Sequence, residues 1–158
     1  MIIDFSNLKS EIQSRGFVIS KTCKILDLSS SYINSVQFGT IIPRADVLVK
    51  ICAFTKIPID DAVKFDVTVK DEYKSYSTTP PAGPVLTYEP LRQMIGNGDK
   101  EKLFEFLDSV NNVYGEQGLN LRMKRAIYYD RPVSMKVIYS ICSVLGCTPG
   151  MVFTGKAE

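Results

Sequence analysis

The chain has 158 residues, room for one compact domain or two small ones. Apolar residues make up 45% and charged residues 23%, a globular composition that excludes a disordered chain. Its 19 basic and 17 acidic residues leave a formal charge of +2, so net charge argues for no polyanionic partner and any such case rests on where charges sit.

Both ends of the chain read as helical. Phe5, Leu8 and Ile12 share one helix face, with Asp4 or Ser6 as N-cap and Gly16 as the stop. A second helix is expected over Ile19 to Leu26, with Leu28 turning inward. Ser29 caps a third, Ser30 to Phe38, that Gly39 ends. After Pro43, residues 44–56 carry Val47, Leu48, Ile51 and Cys52 on one stripe, and a last helix is expected from Ile59 to Phe65. Val67 to Val85 then gathers Ser75, Ser77, Thr78, Thr79, Pro80, Pro81, Gly83 and Pro84, which no helix should cross. Within it, Val67-Thr68-Val69 reads as a short strand or an extended arm. The expected organisation is a lobe at 1–66, a linker at 67–85 and a second lobe at 86–158. The fold class expected is all-α, two small helical bundles.

The second lobe repeats the first. Val137, Ile138, Ile141 and Cys142 stand to one another as Val47, Leu48, Ile51 and Cys52 do, at a constant offset of 90 residues. That match points to an internal duplication; two unrelated amphipathic helices are the plainer alternative. Helices are expected over Tyr88 to Ile95 and Lys100 to Val110. Extending the offset backwards places a third over Leu119 to Tyr129, with Met123, Ala126 and Ile127 inward. About nine additional residues, around Asn111 to Gly118, then lengthen the turn before it. Val110, Val113, Tyr114, Tyr128, Tyr129 and Tyr139 add apolar surface, mostly core, with any surplus open to a homodimer face.

In the first lobe a helix, a tight polar connection and a short helix ending at Gly meet the requirements of a helix-turn-helix. Ile33 and Val36 form the inner stripe of that short helix. Ser30, Ser31, Asn34 and Ser35 fall on another face, small polar side chains able to hydrogen-bond bases or phosphates. The run Gly16-Phe17-Val18-Ile19-Ser20-Lys21-Thr22-Cys23-Lys24-Ile25-Leu26-Asp27-Leu28-Ser29-Ser30-Ser31-Tyr32-Ile33, its continuation Gly39 to Pro43, and Ile51 to Asp61 resemble the lambda-repressor-like, Xre/Cro-type helix-turn-helix family. The resemblance covers residues 5–65 and implies five helices, the third lying in the major groove of double-stranded DNA. It implies base contacts from Ser30, Ser31, Asn34 and Ser35, and phosphate contacts from Lys21, Thr40 and Arg44. The sequence departs from the family at Asp27, where a turn glycine is usual, at Thr22 for Leu, and at Phe38, where Asn often precedes the final Gly.

By the same 90-residue offset, Asn120, Lys124 and Arg125 stand for Ser30, Asn34 and Ser35, with Arg122 beside them and Arg131 just beyond. Arg forks onto guanine and Asn onto adenine, and cations neutralise phosphates, so this helix too is a candidate DNA face. The alternative is a solvated basic helix on a degenerate lobe used for self-association.

Other function classes have little support. There is no His, the usual general base and metal ligand. Cys23, Cys52, Cys142 and Cys147 form no Cys-x-x-Cys pair, and three of them lie in apolar helical patterns, a usage that points to the cytoplasm. Gly96-Asn97-Gly98-Asp99-Lys100 lacks phosphate-loop spacing, and Asp60-Asp61 reads as helix N-terminal acids. No apolar run approaches the ~18–20 residues that span a membrane, and Met1-Ile2-Ile3-Asp4-Phe5 lacks signal-peptide features. No cofactor, metal or small-molecule ligand is implied. The expected function is a non-enzymatic, sequence-specific DNA-binding transcriptional regulator, which the resemblance places with prophage or mobile-element repressors. The alternative is a protein-interaction or dimerisation module with one lobe that does not bind DNA.

Overall fold

Helical apolar spacing builds α1 (Leu8–Ser14), α2 (Ile19–Ile25), α3 (Tyr32–Gln37), α4 (Ala45–Thr55) and α5 (Ile59–Ala62) in the first half. The second half forms α6 (Glu89–Met94), α7 (Lys100–Asp108), α8 (Leu121–Tyr128) and α9 (Met135–Leu145). This computed structural model describes residues 1–76, 78–111 and 118–158. Ser77, Val113 and Tyr114, singled out above, lie outside the described residues, as does most of the insert before α8. All four cysteines are free and buried, and burial pushes the Cys52 thiol far up, so it acts as a small hydrophobe.

The all-α expectation is corrected by two small antiparallel sheets. Ile3–Asp4 (β1) pairs with Lys64–Phe65 (β2), and Val85–Thr87 (β3) pairs with Thr154–Lys156 (β4). The helix expected to run from Ile59 to Phe65 stops at Ala62, because Val63 takes an extended conformation (φ −137°, ψ 138°) and hands the chain to β2. Strands of two or three residues are too short for alternation to show. Each pairs with a segment at least 60 residues away, so no hairpin turn announces it. Val67 to Val69 form no strand.

The duplication is written into backbone detail. Asp4 accepts the Ser6 N–H (2.7 Å) and Thr87 accepts the Glu89 N–H (3.1 Å), equivalent bonds 83 residues apart. Ile3 faces Phe65 and Asp4 faces Lys64; Leu86 faces Gly155 and Thr87 faces Thr154, the same register at offsets of 83 and 90. Helices α3 and α8 end alike. Gly39 (φ 78°) and Asp130 (φ 59°) are left-handed, and Thr40 N–H bonds to Ser35 O as Arg131 N–H bonds to Ala126 O. Here the offset is 91, because the loop into α9 is one residue shorter than the loop into α4. The sequence pairing is therefore corrected by one: Arg125, not Lys124, is the counterpart of Asn34.

The two copies pack about a pseudo-twofold axis. Arg44 bridges its own counterpart Ser134 as an antiparallel pair, and Ala45 N–H bonds to Val133 O. Asp60 accepts the N–H of its counterpart Gly150 (2.7 Å) and the Thr148 hydroxyl (2.8 Å). Asp60 and Asp61 lie in the first turn of α5 as expected, and Asp60 also ties that turn to the second copy. Each copy's long helix lies on the other's sheet: Tyr139 of α9 meets Phe65 of β2 (5.3 Å, edge to face), and Val49 of α4 meets the counterpart, Gly155 of β4. Buried residues of both halves form one hydrophobic cluster. Residues 67–76 and 78–85 dock along the way: Lys70 N–H bonds to Gly146 O, Ala82 N–H bonds to Gly155 O, and Pro81 and Gly83 are buried.

Candidate nucleic-acid interface

The turn between α2 and α3 depends on Asp27, which adopts φ 58° where the family resemblance would place glycine. Aspartate tolerates that region better than most residues, and the Leu28 N–H then closes back on Cys23 O at 2.8 Å. Thr22 and Cys23 are buried against the turn, as are Ile33 and Val36 of α3. Ser31, not Ser29, is the N-cap residue, and it makes no side-chain cap bond.

Along α3, Ser30 and Ser31 are exposed, whereas Asn34 and Ser35 are half-buried. The Asn34 side-chain oxygen is buried with no hydrogen-bond partner among the described residues. Ser35 lends its carbonyl to the N–H groups of Thr40 (2.9 Å) and Ile41 (3.2 Å), fixing the loop that exposes Thr40. Lys21 is exposed in the first turn of α2. Arg44 is exposed and pairs with Asp46 at 3.1 Å. Next to that pair, burial raises the Tyr32 phenol pKa, reinforced by Asp46 and opposed by Arg44.

On α8 the predicted cations divide. Arg122 and Arg125 are exposed, with no carboxylate partner among the described residues. Lys124 is different: its ammonium lies 2.6 Å from Asp108 and 5.4 Å over the Phe104 ring, leaving the side chain 15% exposed. It ties α8 to α7. Asn120 also has a structural duty, since its side-chain oxygen accepts the Met123 N–H (2.9 Å) and caps the helix. Arg131 is exposed, its guanidinium 5.5 Å from the Tyr129 ring.

Three predicted residues converge across the lobe boundary. Arg44 from the first copy and Asn120 and Arg122 from the second line one groove of about 360 Å³, floored by Met123, Ala126 and Val137. Lys21 and α3 lie outside that groove.

The end of α8 is held by a network absent from the first copy. Asp130 accepts from Arg92 (2.7 Å), the Tyr88 N–H (2.8 Å) and the Thr87 hydroxyl (3.3 Å), and Arg92 also reaches the carbonyls of Ile127 and Tyr128. Burial works to raise the Asp130 carboxyl, but the Arg92 guanidinium and the Tyr88 N–H outweigh it and hold it below the ordinary aspartate value. In the first copy Gly39 occupies the Asp130 position.

Sequence reasoning missed Lys100, whose ammonium sits between 5.1 and 5.8 Å from the rings of Tyr128, Phe104 and Tyr129. Only the Tyr-Tyr-x-Arg run was visible in sequence; Lys100 lies far from it along the chain. Among the described residues no helix is long and apolar enough to cross a membrane, and no cluster of ligating side chains stands ready for a metal. Comparison with protein-family models, with curated proteins and with solved structures gives no match for this chain.

Proposed function

We propose that this chain is a sequence-specific DNA-binding regulator in which a single molecule offers two reading helices, α3 and α8, to the major groove. The observation that carries this reading is the pseudo-twofold packing: Arg44 meets Ser134 and Asp60 meets Gly150, as equivalent residues meet in a symmetric dimer. Helices related by a twofold suit half-sites in inverted orientation, about one helical turn or ~34 Å apart. Because the two helices differ in every outward residue, the half-sites differ too. Exposed Ser30, Ser31 and Thr40 on one copy, and Arg122 and Arg125 on the other, supply hydrogen-bonding and ionic groups for base edges and phosphates.

Selection from a randomised duplex pool at two salt concentrations tests it. The expected result is an enriched motif of two unlike, inverted halves, bound by one protein molecule, with affinity falling as salt rises. Charge reversal at Arg122 and Arg125 together should abolish binding. A second reading, a protein-interaction module, draws on Phe38, which is 81% exposed at the end of α3. Under that reading the pool yields no enrichment and the reversal changes nothing.

A further inference from the structure

The two reading helices are unlike in charge. Residues 29–43 contain no charged side chain, whereas residues 120–131 contain four cations and one acid. Around the end of α8 this charge is organised by aromatic rings. Tyr129, 53% exposed, packs edge-on against Tyr128 at 4.9 Å; Lys100 lies 5.8 Å from its ring and Arg131 5.5 Å from it. Lys100 and Arg131 thus approach the same ring from different segments, α7 and the loop after α8. Neither has a carboxylate partner among the described residues, although Asp130 separates Tyr129 from Arg131 in sequence. Asp130 is itself engaged by Arg92, so its charge is spent inward.

A cation held over a ring keeps its charge outward while losing little further freedom on binding an anion. Holding two like charges near one exposed ring, with no carboxylate partner for either among the described residues, is electrostatically unfavourable until an anion arrives. In the first copy the counterpart of Tyr129 is Phe38 and that of Arg131 is Thr40, so no such cluster forms there.

We infer that Lys100, Tyr129 and Arg131 form a preassembled clamp for the DNA sugar-phosphate backbone, present on the second copy alone. The inference rests on the DNA-binding reading above and divides its labour. The second copy supplies most of the charge-driven affinity, and the uncharged α3 surface of the first supplies discrimination between sequences. Two phosphates neutralised by the clamp correspond to about 1.8 in the slope of log affinity against log salt.

The test is a salt titration of duplex binding by the full chain, using its best selected site and several mismatched sites. Lys100→Gln with Arg131→Gln keeps the aliphatic stems on the ring and removes both charges. It should lower the slope by about two and weaken every site alike, on the order of 10- to 100-fold near 0.1 M salt. Tyr129→Leu, which leaves both charges, should weaken all sites by a smaller factor. Ser30→Ala with Ser31→Ala, both exposed, should reorder the sites and leave the slope unchanged. Unaltered circular dichroism confirms that each variant is folded. If the parent binds DNA and the charge variant keeps the parental slope, or reorders the sites instead of weakening them together, the clamp is wrong and the DNA reading stands. If the parent binds no duplex even at low salt, the DNA reading fails and the clamp falls with it.

Discussion

Asp130 shows how one side chain can do work that its residue type does not announce. It sits left-handed at the end of α8, gathers Arg92, Tyr88 N–H and Thr87, and keeps the basic helix at a fixed angle to α6. Asp130→Asn should cost about 1.5–3 kcal/mol in urea unfolding, the range for hydrogen bonds to charged groups. The folded-state carboxyl lies below its unfolded value of roughly 3.9, so its contribution is present above that pH and is lost as pH falls through the folded value. The gap between parent and variant should therefore be full at pH 7 and shrink below about pH 4; a gap that persists undiminished at pH 2 would remove the ionic origin. Asn34 is the opposite case. Its buried oxygen has no partner among the described residues, so Asn34→Ala should change stability by no more than about 1 kcal/mol. A loss above 2 kcal/mol would show that the oxygen is bonded after all. The outward serines were legible in sequence from helical spacing; the burial of Asn34 and the structural duties of Asn120 and Lys124 were not, because each depends on a neighbour from another segment.

Comparing equivalent elements isolates individual backbone contributions. Helices α4 and α9 both end on a left-handed residue whose N–H returns to the carbonyl four residues earlier, Lys56 to Cys52 and Gly146 to Cys142. Glycine occupies that conformation without strain, whereas lysine bears the cost of its Cβ. Lys56→Gly should therefore stabilise the protein by about 0.5–1 kcal/mol, a rise of roughly 1–4 °C in Tm. Arg15 would keep its bond, because it donates to the Lys56 carbonyl rather than the side chain. An unchanged or lower Tm would show that the lysine stem supplies compensating packing. Helix positions and the repeat of α4 in α9 could be read from apolar periodicity. The strands could not, nor could the one-residue shift in the α8 register, which becomes visible only when Gly39 and Asp130 are matched by backbone angle and by the bonds that follow.

Across the whole molecule, one hydrophobic cluster joins the two copies at their seam. Gly155 lies where a Cβ would run into the Gly83 carbonyl and come within 2.5 Å of Val49. Gly155→Ala should cost about 1–3 kcal/mol by overpacking, whereas Phe65 at the equivalent position is accommodated by the ring of Tyr139. With one hydrophobic cluster running through both halves, thermal unfolding should be a single transition, coincident by near- and far-UV circular dichroism. Two resolved transitions would mean that the halves are energetically separate. The amino-acid sequence determined the helix positions, apart from the end of α5, together with the basic face of α8 and the repeat of α4 in α9, all legible from apolar periodicity. Only the tertiary structure decided how the copies meet, that each helix lies on the other's sheet, that Arg44 shares a groove with Arg122, and that Lys100 reaches Tyr129. The physical reason is range. Periodicity records which side of a segment faces inward, but it carries no information about which distant segment lies opposite.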